Sequence, residues 1–147
     1  MFERAGAVTV NHALHEGSPL TRIQWHFMKN SSLPVAVHTW DLPAGASEGL
    51  HVHPATGDDA LEEFYILVSG SASMSMDGVD HQLRPGDSML AKPGIAHDFR
   101  NTGADAARVI VVWGRPGTAM DWTQWVTGRK TDQADREAGE DVRPDHS

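Results

Sequence analysis

Two stretches of this sequence gather side chains of the kind that bind metal ions. The first reads Gly45-Ala-Ser-Glu-Gly-Leu-His51-Val-His53 and, after a nine-residue connection, reaches Glu63-Phe-Tyr-Ile-Leu-Val-Ser-Gly70. The second opens at Gly86-Asp87 and closes with Gly94-Ile-Ala-His97-Asp-Phe-Arg-Asn101. Three imidazoles and one carboxylate are thereby available to a single site. Side chains alternate along extended backbone, so His51 and His53 share a face and aim at one interior point, whereas a helix would space such a pair by four. Imidazoles with a carboxylate suit a borderline divalent cation: iron, manganese, nickel, cobalt, copper or zinc. A third imidazole from another strand leaves two positions of an octahedron open, which is what catalysis requires. With nine His in 147 residues, composition alone yields about half a His-x-His pair. The pair therefore has meaning only inside its frame of Gly45, Glu63, Gly70 and the second stretch.

Other side chains compete for a place beside this cluster. His38 and Trp40 share a strand face just before the first stretch, and His38 is the natural substitute ligand should Glu63 fail. Tyr65 has the parity of Glu63 and offers its hydroxyl to a substrate or to a ligand. His38 and Tyr65 are therefore the candidate catalytic groups. Phe99, two residues after His97, is expected on the same wall. Met74, Met76 and Met89 are adaptable fillers of core or cavity. Arg22 and His26 share a face whose side, inner or outer, the sequence leaves open. His12 and His15 lie in a polar stretch and are expected to be solvated, as is His81 after a hairpin turn, and His146 lies in a charged tail.

At these residues the chain resembles the cupin superfamily. That family's first motif is Gly, five residues, His-x-His, a short gap, Glu, six residues, Gly, met here by Gly45, His51, His53, Glu63 and Gly70. Its second is Gly, five residues, Pro-x-Gly, two residues, His, three residues, Asn, met by Gly86, Gly94, His97 and Asn101. The resemblance covers about residues 33–113 and implies that His51, His53, Glu63 and His97 hold one divalent transition metal per subunit (Fe, Mn, Ni or Zn). It also implies a homodimer. Two departures stand out. Nine residues, 54–62, separate His53 from Glu63 where the family has three or four, and Lys92-Pro93 takes the place of Pro-x. The longer loop carries Asp58 and Asp59 and is either a lid or simply solvated. It also raises a choice of carboxylate between Glu62 and Glu63, which the six-residue count to Gly70 decides for Glu63.

The elements that must position these groups read as short strands broken by turn signals, the pattern of an all-β sandwich or barrel. Strands are expected over residues 21–28, 33–42, 61–68, 71–76, 79–83, 88–91, 95–99 and 108–113. Asp77-Gly78 forms a two-residue hairpin turn, and Pro43-Ala-Gly45, Pro85-Gly86-Asp87 and Pro93-Gly94 form further turns. The run Arg108-Val-Ile-Val-Val-Trp113 is apolar enough for a strand buried on both faces. The expected fold is a double-stranded β-helix, the jelly-roll barrel that the resemblance also implies. Residues 1–20 read as an N-terminal arm and 21–117 as the barrel. Residues 118–128 read as a short amphipathic helix whose Trp122 and Trp125 share a face. The charged residues 129–147 are expected to be a disordered tail.

Composition narrows the function classes. A length of 147 residues with 39% hydrophobic content supports one core. The absence of Cys fits a reducing compartment and excludes thiolate chemistry. No apolar stretch approaches the roughly 18 residues of a membrane span, and the first residues lack the look of a secretory signal, so a cytoplasmic location is expected. A net charge of −8 and a pI near 5.5 argue against nucleic acid or an anionic membrane as partner. The expected partner is a small-molecule substrate. Three functions compete: a dioxygenase-like metal enzyme, a redox-neutral isomerase, lyase or polyketide cyclase, and a ligand-binding module without turnover. The stretches Glu62-Glu63-Phe64 and Arg100-Asn-Thr-Gly103 resemble those of small single-domain cupins that include aromatic polyketide cyclases, which supports the second. The third normally carries a DNA-binding domain, and none is expected in the remaining residues.

Overall fold

The computed structural model describes residues 1–117, and the expected helix and tail lie outside them. Nine strands follow in chain order: β1 Thr9–His12, β2 Thr21–Trp25, β3 Ala36–Leu42, β4 Glu62–Ser69, β5 Ala72–Met76, β6 Val79–Leu83, β7 Ser88–Ala91, β8 His97–Asn101 and β9 Ala107–Gly114. They form a six-stranded antiparallel sheet ordered β1-β2-β3-β9-β4-β7 and a three-stranded sheet ordered β6-β5-β8. This is the expected jelly-roll architecture.

Alternation decides which side chains look inward. In β3, His38, Trp40 and Leu42 are buried; in β4, Glu63, Tyr65 and Leu67; in β9, Ala107, Val109 and Val111. These strands are neighbours in register, with His38 opposite Val111 and Tyr65 opposite Val111 on the other side. Met74 and Phe99 of the second sheet complete the core, with Met76 and Met89 packed against it. The methionines thus serve as core filling. The outer side of β9 is only half-buried at Ile110 and Val112. Its apolar run reflects a central position in the six-stranded sheet, not cover on both faces.

Two local devices hold the frame. The β5–β6 hairpin turns on Asp77 and Gly78, both at positive φ (48° and 81°), the combination that matches the twist of paired strands and that Asn or Asp followed by Gly adopts most readily. Asn101 donates from Nδ2 to the carbonyls of Leu42, Pro43 and Asp105 and accepts from the Gly103 amide. The Asn of the second motif thus clips the end of β3 to the β8–β9 connection. The arm at residues 1–20 contributes β1, which pairs with β2 from Thr9–Gln24 to His12–Thr21. Among the described residues no helix is long and apolar enough to cross a membrane.

Candidate metal centre

His51 and His53 sit in a connection between β3 and β4 that forms no strand of its own. Isolated bridges tie it to β8, Ser47 to Arg100 and His51 to His97. His51 and His97 exchange backbone hydrogen bonds of 3.0 and 2.9 Å, and the Gly94 amide donates to the His53 carbonyl at 2.8 Å. Both imidazoles reach one interior point as the period of two requires, although from irregular backbone. Glu63 comes from β4 in the other sheet. It is buried (5% exposed), while Glu62 pairs with Gly114 and takes the opposite parity. The long 54–62 loop therefore leaves the carboxylate register as expected. Asp58 in that loop meets Arg115 through its carbonyl (2.7 Å) and its carboxylate (3.7 Å).

Ligand atoms of His51, His53, Glu63 and His97 all lie within 4.8 Å of one another. The Nε2 atoms of His97, His53 and His51 stand 2.7, 3.3 and 3.4 Å from a single oxygen, Glu63 Oε2. The Nδ1 atoms of His51 and His97 face the carbonyls of Gly49 and Ile95, each at 2.9 Å. A carbonyl only accepts, so Nδ1 carries the proton and each neutral ring presents its Nε2 lone pair to a carboxylate that also only accepts. His53 Nε2 is buried with no hydrogen-bond partner at all. Acceptors facing acceptors are satisfied by positive charge at their centre, and the backbone-oriented Nδ1–H behind His51 and His97 is the usual support for a metal-binding imidazole. The donor set is compatible with a divalent transition ion. When Nε2 instead carries a proton, His51 and His97 donate to Glu63: burial alone would raise the Glu63 carboxyl, but these hydrogen bonds and the nearby His53 outweigh it and hold it well below the usual carboxylate range. Burial pulls His97 down, yet the same contact with Glu63 and the one with Ile95 leave it raised, so a proton on its Nε2 competes with a cation for the same place.

Tyr65 is fully buried and stands behind Glu63, so its hydroxyl goes to a ligand of the cluster and not to the cavity. It lies 3.0 Å from Glu63 Oε2 and 3.1 Å from Glu48 Oε2. Glu48 is completely buried and also accepts from the Phe99 amide at 2.8 Å. Burial, then the nearby Glu63, raises its pKa well above the ordinary value. One phenolic proton cannot serve two carboxylates, so Glu48 supplies its own. Phe99 stacks parallel to Tyr65 (5.7 Å, 7°) beneath the cluster.

A cavity of about 340 Å³ opens above the centre, lined by Glu63, His53 and His38, by the aromatic faces of Trp25, Trp40 and Trp113, and by His12, Leu14 and His15 of the arm. His38 reaches this cavity, but in the tautomer that cannot ligate. Trp40 Nε1–H donates to its Nδ1 (3.2 Å), which leaves the proton on Nε2, and burial lowers its pKa to about 4. It does not stand in for Glu63. Trp25 and Trp113 pack on its ring at 3.8 and 5.7 Å. His81 is exposed, and Arg22 is exposed on the outer face of the sheet.

His12 and His15 are exposed, as expected, yet both line the cavity, because the arm folds back over the site. Sequence reasoning also passed over Glu48, Trp25 and Trp113. The two tryptophans carried a usable signal, since Trp25 shares parity with Thr21 and Ile23, and Trp113 with Val109 and Val111. Glu48 carried none, being in irregular backbone.

Comparison with known proteins matches the Cupin_2 family model, described as cupin domain, to residues 38–113. The chain is a cupin. Among curated proteins, this cupin is 37% identical over 60 residues to Protein SchB of Streptomyces halstedii, a match covering 41% of this chain and 40% of SchB's length. Among solved structures, it is similar to one described as a predicted oxalate decarboxylase from Thermotoga maritima (TM-score 0.70, 21% identity), over 79% of this chain and all of that one. It is also similar to a Cupin 2 conserved barrel domain protein from Salinispora arenicola (TM-score 0.57, 21% identity), over 71% of this chain and 81% of that one. At these identities the structural likenesses carry the fold alone.

Proposed function

We propose that this cupin is an enzyme that holds one divalent transition metal through His51, His53, Glu63 and His97 and acts, dioxygenase-like, on a small carbonyl, enol or aromatic metabolite. The observation that carries the reading is the convergence of imidazole lone pairs and a buried carboxylate at the floor of a cavity walled by tryptophan. A bound ion supplies Lewis acidity to a substrate oxygen and, where redox-active, a place for dioxygen. The protein's own groups do the rest. Trp25, Trp40 and Trp113 offer flat apolar faces to a planar substrate, and Tyr65 and Glu48 orient Glu63 from behind. Activity of a homodimer belongs to the same reading.

A redox-neutral isomerase, lyase or cyclase is favoured by one specific feature. His38 is a neutral imidazole in the cavity wall whose Nε2–H has no partner, a group suited to lending a proton to a substrate oxygen. Dioxygen consumption by the iron-loaded protein across a panel of small carbonyl, enol and aromatic compounds supports the first reading. Turnover under strict anaerobiosis supports the second. Absence of any metal-dependent turnover across the panel would overturn both and leave a ligand-binding protein.

A further inference from the structure

We propose that the N-terminal turn Leu14–Glu16 is an integral wall of the metal centre, with His15 a positioning residue that fixes the His51 ring by stacking. The proposal rests on the metal reading above. His15 lies flat on His51 (centroids 3.6 Å apart, planes 11° apart) and edge-on to His53 at 6.3 Å. It is not one of the four convergent groups. His51 needs such a neighbour, because it lies outside any named strand. Its other supports are the bridge to His97, the Nδ1 bond to Gly49, a tilted contact with the His97 ring at 4.1 Å and an edge-on contact with the His53 ring at 5.1 Å.

The backbone is built to bring His15 there. His15 and Glu16 both take positive φ (38° and 65°), a conformation that is unfavourable for a non-glycine residue and that persists where surrounding contacts enforce it. Those contacts are two close approaches that only glycine permits. A Cβ at Gly17 would stand 1.9 Å from the Ser47 carbonyl oxygen, and one at Gly49 would stand 2.2 Å from the His15 carbonyl oxygen. The turn and the ligand-bearing loop are thus pressed together, backbone on backbone, at two points next to the His15–His51 stack. Leu14, His15 and His12 also line the cavity onto which Glu63 opens.

The test is titration of the full chain with cobalt(II), followed by visible absorption, for the parent and for His15→Ala, His15→Phe and Gly17→Ala. His15→Ala should bind cobalt about tenfold more weakly, the lower end of the loss typical when a group supporting a ligand is removed, with shifted absorption bands. His15→Phe, which keeps a flat ring and has no nitrogen, should restore both affinity and spectrum. Gly17→Ala, which keeps the His15 side chain but displaces the turn that carries it, should reproduce the Ala variant's loss. Parent-like affinity and spectrum in both His15→Ala and Gly17→Ala overturn the proposal. Failure of His15→Phe to restore them overturns it too, since the nitrogen would then be what matters. A parent that binds no cobalt overturns the metal reading itself, and this inference with it.

Discussion

Glu48 gives the sharpest test of how the centre is supported. The side chain is completely buried, accepts from the Phe99 amide at 2.8 Å and faces a Tyr65 hydroxyl already placed 3.0 Å from Glu63. If Glu48 carries its own proton, glutamine reproduces it: the amide oxygen accepts from Phe99 and the amide N–H donates to the phenol oxygen. Glu48→Gln should then change stability by less than about 1 kcal/mol at pH 5. Glu48→Ala strands the Phe99 amide and the tyrosine oxygen and leaves a void. A stranded buried donor costs about 1–3 kcal/mol, and the void left by the missing methylene and carboxyl brings the total to about 3–4 kcal/mol. The pH dependence has a definite sign. An acid whose pKa is raised by folding stays protonated in the native state while the unfolded chain releases its proton above about pH 4.5. The native state then binds more protons, and the parent loses stability as pH rises, by up to about 1.4 kcal/mol per unit from this group. Glu48→Gln lacks that slope, so it should overtake the parent as pH increases. Urea unfolding followed by tryptophan fluorescence between pH 5 and 8 reads both effects. A glutamine variant as damaged as the alanine variant, with the parent's pH slope intact, would refute the protonated-Glu48 argument.

Elemental analysis of the purified protein should find about one divalent ion per subunit and almost none in the doubly substituted His51→Ala, His97→Ala variant; equal content in the two would remove the ligand assignment. Affinity for the ion should fall below about pH 6, where protons compete for the three Nε2 lone pairs, as equilibrium dialysis at pH 5 and 7.5 would show. Asn101→Ala should cost about 2–4 kcal/mol in thermal unfolding, because it removes a buried side chain that ties three carbonyls and one amide at once. A change within experimental scatter there would mean that solvent replaces those bonds.

Much of the barrel was legible because its strands obey alternation. The strands at residues 79–83 and 88–91 appear with the expected bounds, and Glu63 was separable from Glu62 by counting to a glycine. The cluster itself was legible for a simple reason: His51 and His53 are two apart, and the period of two survives even where backbone is irregular. What escaped had no pattern to show. The strand Thr9–His12 is four residues with three exposed and exists only because β2 offers an edge to pair with. His15 is aimed by a left-handed turn that backbone contacts with Ser47 and Gly49 enforce, and nothing local announces such contacts. Glu48 lies in a loop, where burial follows from Tyr65 and Phe99 arriving from two different sheets.

Glu63 belongs to the six-stranded sheet, His97 to the three-stranded one, and the two remaining imidazoles to the chain between β3 and β4. A cation at their midpoint would therefore act as a rivet through both halves of the barrel. Its loss would free the halves to breathe apart, and any partial opening would in turn spill the cation, so that occupancy and closure rise and fall as one quantity.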